Sequence, residues 1–291
     1  ELSDASDIIT YEIELANGRV LEDLAAEGKE IHPSPETLRT VQDKYTQASF
    51  LQSNNIPVPD FREITNKKDV GDVAKSYGLP LMIKARTDSY DGRGNFLLTS
   101  LDQVDEVFSE FHGRKLMAQK YIDFEREVSV IAARSTTGEV KTYPVGENIH
   151  VDNILHTTIV PARLSEKVAY RTREIAEKTL YSLKGAGVFG IEMFVDKHDE
   201  VLINEIAPRV HNSGHYTIEG CQTSQFEQHL RAISGMPLGN TDLIHNEVVM
   251  HNILGDTNNG YSGQYDLQGF EKLANAPGVF VHMYGKTEVR N

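Results

Sequence analysis

The sequence predicts an α+β fold built on mixed or antiparallel sheets, not a run of βαβ units. Three observations carry this. Two apolar strand patterns, "VFGIEMFVD" and "EVLINEIA", are joined by the turn "KHDE", which is too short for anything but a hairpin. Segment 115–150 strings strand patterns together with no helix between them. Helical periodicity comes in separate blocks, of which "SEKVAYRTREIAEKTLYSLKGAG" is the longest.

The elements follow in order. "SDIITYEIEL" (6–15) mixes β-branched and apolar residues as a strand does, and "GRVLEDLAAEGKEIHPSP" reads as helix, turn and extended exit closed by Pro33 and Pro35. "SPETLRTVQDKYTQASFLQSNNIPVPDF" reads as one helix capped by Ser34 or Thr37, with Leu38, Val41, Tyr45, Ala48 and Leu51 on one stripe. "NKKDVGDVAKSYG" is a short helix. "LPLMIKA" is a buried strand ending near Lys84 and leading to the glycine-rich turn "YDGRGN". "LDQVDEVFSEFHG" is helical, "KLMAQKYI", "EREVSVIAARS" and "GEVKTYPVGENIH" are β, and the long helix closes at Gly185 and Gly187. "TSQFEQHLRAISG" is a last helix before a tail that alternates loop and strand to "VFVHMYGK". Segment 67–126 therefore reads as a small lid, 1–66 as an entry region, and 127–291 as a larger platform.

Composition narrows the function. The chain has 291 residues, 39 % hydrophobic and 25 % charged, enough for a sizeable core in one or two domains. A net charge of −14 argues against a nucleic-acid surface, which needs a clustered basic face. One cysteine, Cys221, forms no internal disulfide and fits a reducing, cytoplasmic setting. No apolar run reaches the ~20 residues of a membrane span.

Three constellations carry chemistry. Lys84 with "YDGRG" offers a charge and close backbone approach to phosphate, although no Gly-Lys-Ser/Thr is present and the turn alone reads first as an ordinary hairpin turn. "MAQKYIDFEREVSV" places Gln119 and Lys120 in an extended segment ahead of Glu127, suited to an adenine edge and ribose hydroxyls, although these residues alone read first as an edge strand with a surface acid. The third is the strongest. Glu192 sits mid-strand among apolar residues, where a lone carboxylate is costly, and Glu205 follows on the second strand of the same hairpin. Two inward carboxylates repel unless a cation lies between them, and hard oxygen ligands favour Mg²⁺ or Mn²⁺ over Zn²⁺. His150, His156, His211 and His215 lack zinc-site spacing, and each taken singly reads as a loop residue.

In order, the Lys84 strand, "YDGRG", residues 119–122, Glu127, Glu192 and "NEIAPR" resemble the ATP-grasp superfamily. The stretch "INEIAPRVHNSGHYTIEGCQTSQFEQHLRAISGMPLG", with "TYEIE", "HPSPETL…QDKYTQ" and "YDGRG", is similar to the 5-(carboxyamino)imidazole ribonucleotide synthases, in particular their fungal form. That resemblance implies an ATP-grasp fold and the ATP-dependent carboxylation of 5-aminoimidazole ribonucleotide by bicarbonate through carboxyphosphate. It implies that Lys44, Lys84, Asn204 and the loop Tyr90, Asp91, Gly92, Arg93 and Gly94 contact ATP phosphates. Gln119, Lys120, Tyr121, Ile122 and Glu127 would hold adenosine, and Glu192 and Glu205 would ligate Mg²⁺. Arg209, His211 and His215 would be catalytic, while Glu12, Glu14, His150, Asn212, Ser213, Gly214 and Lys286 would bind the ribonucleotide and bicarbonate. Lys44 stands where many relatives carry arginine, keeping charge but not the bidentate fork.

Further expectations follow from the same resemblance: a homodimer, a downstream mutase domain in fused forms, and no nucleic-acid or membrane partner. Family members begin with a "GGGQLG" unit in a Rossmann-like domain and continue past "YGK" into "RKMGH". The chain is therefore expected to be trimmed at both ends, with the N-terminal domain largely missing. Biotin carboxylase-like and formate-dependent glycinamide ribonucleotide transformylase-like ligases, or a nucleotide-binding module without turnover, are the rival readings.

Overall fold

The computed structural model describes residues 1–87, 94–255, 263–264 and 268–289, and the chain divides into a first unit, Glu1–Met250, and a second, His251–Asn291. The first unit opens with β1 (Ile8–Ile9), α1 (Gly18–Ala26) and β2 (Glu30–Ile31), the two short strands lying parallel. The strand predicted over 6–15 is reduced to Ile8–Ile9. Beyond Thr10, Tyr11 is buried but Ile13 and Leu15 are 62 % and 61 % exposed, so nothing extends a buried face past Tyr11 and the segment turns instead.

The single helix predicted from Ser34 is two helices, α2 (Pro35–Gln42) and α3 (Lys44–Ser53). Asp43 between them is extended, at φ −105° and ψ 110°, and its carboxylate accepts from the Tyr45 and Thr46 N–H groups at 2.9 and 3.0 Å. Aspartate competes with helix hydrogen bonding from within and satisfies orphan donors from the cap, so the chain breaks there and restarts. Lys44 becomes the first residue of a new helix with its own direction.

Two separate antiparallel sheets follow. The small one comprises β3 (Phe61–Ile64), β4 (Leu81–Ala85), β5 (Asn95–Leu98) and β6 (Leu116–Lys120), in the order β3-β6-β4-β5. Helices α4 (Lys67–Tyr77) and α5 (Val104–Glu110) cover it, burying Val70, Val73 and Val107 against Ile83, Leu98 and Leu116. This sheet begins at Phe61 rather than 67, because β3 buries only Ile64 fully and carries no alternating pattern to read. It ends at Lys120, so the last residues of the predicted 67–126 segment belong to the next strand.

The large sheet contains β7 (Phe124–Arg134), β8 (Val140–Thr142), β9 (Gly146–Val151), β10 (Ile154–Val160), β11 (Gly187–Asp196), β12 (Val201–Ala207) and β13 (Val248–His251). Its path is β12-β11-β7-β9-β10-β13, with β8 also on β7. One face places Val128, Val130, Ile191, Met193, Ile203 and Ile206 in the core under α6 (Glu166–Leu183). The opposite face carries the polar residues discussed below, beside α7 (Thr217–Gly220) and α8 (Gln225–Ile233). The long helix ends on Lys184 in the left-handed conformation (φ 59°), one residue before the predicted glycine.

In the second unit, β14 (Gly263–Gln264) pairs antiparallel with β15 (Glu288–Val289), and α9 (Phe270–Ala274) lies between them in sequence. The strand predicted at "VFVHMYGK" is irregular, with Phe280 and Tyr284 61 % and 65 % exposed. No helix among the described residues is long and apolar enough to cross a membrane.

Candidate active site

The site is built on a β-bulge. Along β11 and β12 the register runs Ile191↔Ile206, Glu192↔Glu205, then Met193↔Ile203, so Asn204 is an extra residue on β12. Ile203 and Ile206 both enter the core, and Asn204 and Glu205 consequently share the other face. Glu192 faces Glu205 there, and across β7 its register partner is Ser129.

Two lysines approach these adjacent β12 residues from different elements. Lys44, first residue of α3, donates to Glu205 Oε1 at 2.8 Å, and Lys84, in β4 of the small sheet, donates to Asn204 Oδ1 at 3.1 Å. With Gln47, Gln119 and Met117 they line one narrow cleft. Burial first and the Lys44 charge second push the Lys84 ammonium down to about 8. The two carboxylates diverge. Burial and the Glu205 charge push Glu192 up to about 7. Burial also works to raise Glu205, but the Lys44 charge and hydrogen bond, with Lys84 and His211, hold it below the usual range.

A divalent cation fits this donor set. Two oxygen ligands face each other on neighbouring strands, and one is pushed towards protonation by burial and the other's charge. Among the described residues no group of three or more His, Cys, Asp or Glu converges, so a hard cation here would complete its shell with phosphate oxygens and water.

The loop after β12 folds back over β11. His211 packs on Gly190 so closely that a Cβ there would lie 2.5 Å from the His211 Cβ and 2.6 Å from its Cγ, which accounts for the glycine in "VFGIEM". Gln225 fixes the loop by accepting from His211 N–H at 2.9 Å and donating to its carbonyl at 2.8 Å. The Ser213 backbone N–H donates to His211 Nδ1 at 3.3 Å, and the Ser213 hydroxyl lies 2.8 Å from the same atom. A backbone N–H can only donate, so Nδ1 is the acceptor and the neutral ring carries its proton on Nε2, 3.7 Å from Glu192 Oε1. Burial first, then the Arg209 charge, push His211 down to about 4. His211 thus stands as a neutral ring beside Glu192.

Arg209 pairs with Glu14 at 2.8 Å and also donates to the Val210 carbonyl. Burial raises the Glu14 carboxyl despite that pair. Glu12 is exposed, so of the two predicted acids Glu14 alone reaches Arg209. His215 stacks on Phe226 with centroids 5.9 Å apart. Asn212 Oδ1 is buried without a hydrogen-bond partner among the described residues, Ser213 is held by His211, and a Cβ on Gly214 would meet Gln225 Oε1 at 2.4 Å.

On the same face Glu127 and His150 form a 2.6 Å pair. Burial works against the His150 charge, but the Glu127 carboxylate outweighs it and raises the imidazole. Gln119 is buried in β6, Lys120 and Tyr121 are exposed, and Ile122 is half-buried on the link between the two sheets. Gly94 has φ 95° ahead of β5. Tyr90, Asp91, Gly92 and Arg93 lie outside the described residues. Lys286 is exposed in the second unit.

Sequence reasoning missed two groups. Asp43 and Arg86 form a bidentate ion pair beside both lysines, and neither carries a motif that singles it out. Asn148 accepts from the Ser129 and Thr158 hydroxyls at 3.3 and 3.0 Å, leaving its buried amide nitrogen without a hydrogen-bond partner among the described residues. Its position opposite Glu127 on β9 was the available signal.

Two family models match: the ATP-grasp domain over residues 49–226, and the phosphoribosylaminoimidazole carboxylase C-terminal domain over 248–291. Fold and site together define an ATP-grasp protein. The N5-carboxyaminoimidazole ribonucleotide synthase of Brucella melitensis biotype 1 is 39 % identical over 100 % of this chain and 78 % of its own length. The crystal structure of N5-carboxyaminoimidazole ribonucleotide synthetase from Thermotoga maritima superposes with a TM-score of 0.88 at 41 % identity, covering 99 % of this chain and 74 % of that one. That of the Aspergillus clavatus synthase in complex with ADP and 5-aminoimidazole ribonucleotide gives 0.89 at 34 %, covering 99 % and 75 %. The chain belongs to the N5-carboxyaminoimidazole ribonucleotide synthase family. It spans about half the length of several curated relatives it matches, such as the phosphoribosylaminoimidazole carboxylase of Candida glabrata, which is 40 % identical over 98 % of this chain and 51 % of its own length.

Proposed function

We propose that the chain catalyses the ATP-dependent carboxylation of 5-aminoimidazole ribonucleotide by bicarbonate, in purine biosynthesis. The observation that carries this is the facing Glu192–Glu205 pair with Lys44 and Lys84 reaching the same bulge. Such an array neutralises a polyphosphate, and phosphoryl transfer needs little from a protein beyond positioning and charge.

In this reading Lys84 and Lys44 hold the β- and γ-phosphates, Glu127 the ribose, and residues 119–122 the adenine edge. Mg²⁺ or Mn²⁺ on Glu192 and Glu205 would supply the remaining neutralising charge when bound. Arg209, oriented by Glu14, presents its guanidinium fork to bicarbonate. A bicarbonate oxygen attacks the γ-phosphorus, the bond to the β-phosphate oxygen breaks, and ADP leaves. The exocyclic amine then attacks the carboxyphosphate carbon. The C–N bond forms, the C–O bond to phosphate breaks, and departing phosphate takes the amine proton. Carboxyphosphate survives only without water, which gives the small sheet at 61–120 a purpose as a lid.

The test is ADP release with bicarbonate and Mg²⁺ present, measured with and without 5-aminoimidazole ribonucleotide. Release that requires the ribonucleotide, with label from bicarbonate fixed into product, supports the reading. Release indifferent to it points to another ligase. Arg209→Lys should bind ADP normally and lose carboxylation by ~10²–10³, the usual cost of one transition-state donor.

A further inference from the structure

A third residue, Arg86, links the two elements that carry Lys44 and Lys84. Arg86 follows the end of β4, two residues after Lys84, and its N–H donates to the Lys115 carbonyl at 2.9 Å, anchoring it to the small sheet. Its side chain crosses to α3. Nε lies 3.0 Å from both Asp43 oxygens, Nη2 lies 2.5 Å from Oδ2, and Nη1 donates to Glu63. The guanidinium also lies over the Tyr45 ring, 4.9 Å from its centroid. The Arg86 carbonyl accepts from the Lys44 N–H at 2.8 Å. Asp43 is both the target of that fork and the cap of α3, immediately before Lys44.

We propose that Arg86 is a positioning residue for nucleotide binding, clamping Asp43 so that Lys44 and Lys84, from helix and sheet, are held at one fixed spacing for adjacent phosphates. The inference rests on the reading of these lysines as phosphate ligands. A fork of parallel hydrogen bonds fixes orientation as well as distance, which the Arg86→Lys ammonium does not reproduce. The pair is only 11 % and 20 % exposed, so solvent does not compete strongly for either partner. Misplacement of a binding group by about 1 Å is enough to cost ~10²-fold in rate, so a clamp of this kind is felt well beyond its own contacts.

The experiment compares ADP affinity by calorimetry in Asp43→Asn, Arg86→Gln, Arg86→Lys, the Asp43→Asn/Arg86→Gln double variant and Lys84→Ala. The amide oxygen introduced by Asp43→Asn still accepts from Tyr45 and Thr46 at the cap, so this variant removes the ion pair without removing the helix start. The expected result is a five- to twentyfold loss of ADP affinity in Asp43→Asn, measured at a temperature where circular dichroism shows the variant fully folded, with its KM for 5-aminoimidazole ribonucleotide unchanged. Arg86→Gln should match it, the double variant should be no worse than either single one, and Arg86→Lys should recover only part. If Arg86→Gln fails to fold, Asp43→Asn alone decides. ADP affinity within twofold of the parent in Asp43→Asn, while Lys84→Ala loses binding, overturns the clamp and spares the phosphate reading. Unchanged affinity in Lys84→Ala overturns both.

Discussion

Glu192 and Glu205 stand directly opposite each other on adjacent antiparallel strands, yet the protein holds them in different protonation regimes. Lys44 keeps Glu205 ionised at 2.8 Å. Glu192 receives burial and its neighbour's charge.

That asymmetry fixes a pH dependence. Between the ordinary 4.5 and about 7, the folded chain keeps a proton on Glu192 that the unfolded chain has released. Stability from this group is therefore full below 4.5 and lost as pH rises through about 7. Glu192→Gln should remove that slope, be more stable than the parent above pH 7 by on the order of 1–3 kcal/mol, and abolish turnover. Urea melts across this range check it; a parallel slope in the variant rules out the assignment.

Lys84 binds phosphate as an ammonium but is pushed down to about 8. ADP affinity should fall as pH rises past about 8, and Lys84→Arg, which cannot lose its proton, should flatten the profile. Lys84→Ala should cost ~1.5–3 kcal/mol, the worth of a charge-assisted contact. Affinity equal at pH 7 and 9 in the parent chain contradicts this.

His211 should remain neutral with its proton on Nε2 down to about pH 4. Nitrogen NMR of the labelled ring reads both facts at once. A midpoint near the ordinary histidine value, or a protonated Nδ1 at neutral pH, would show that the Ser213 contact does not set the tautomer.

Gly190→Ala places a methyl within 2.6 Å of the His211 ring base. Overpacking of this kind costs about 1–3 kcal/mol. Because the displaced loop carries Arg209, turnover should fall at least ~100-fold, far more than the loss of stability implies, on the usual cost of a lost transition-state donor. Retention of full activity would mean that the loop position is immaterial.

Glu192 was legible because burial makes a mid-strand acid conspicuous, and "KHDE" marks the hairpin. The register of that turn alone, however, sets Glu192 opposite Asn204, and only the bulge, which no motif announces, brings Glu205 to face it. Lys84 was legible from its strand and the glycines after it. The break at Asp43 was not, since Leu38, Val41, Tyr45, Ala48 and Leu51 keep a helical stripe across a residue whose cap partners and arginine are set by tertiary structure. The strand expected at "TYEIE" failed for a related reason. Alternation predicts a face, but no layer packs against Ile13 and Leu15 to use it. Arg86 reads as one more charge until the strand that carries it is placed beside α3.

The extra residue at Asn204 puts the two halves of β12 out of step by one. Deleting it would restore regular pairing along the hairpin at the expense of parity: either Glu205 turns into the core, or Ile203 turns out of it. No side-chain substitution can repair that, because the defect lies in counting, not in chemistry. The length of the chain between residues 203 and 206 is thus a constraint separate from any side chain around this hairpin.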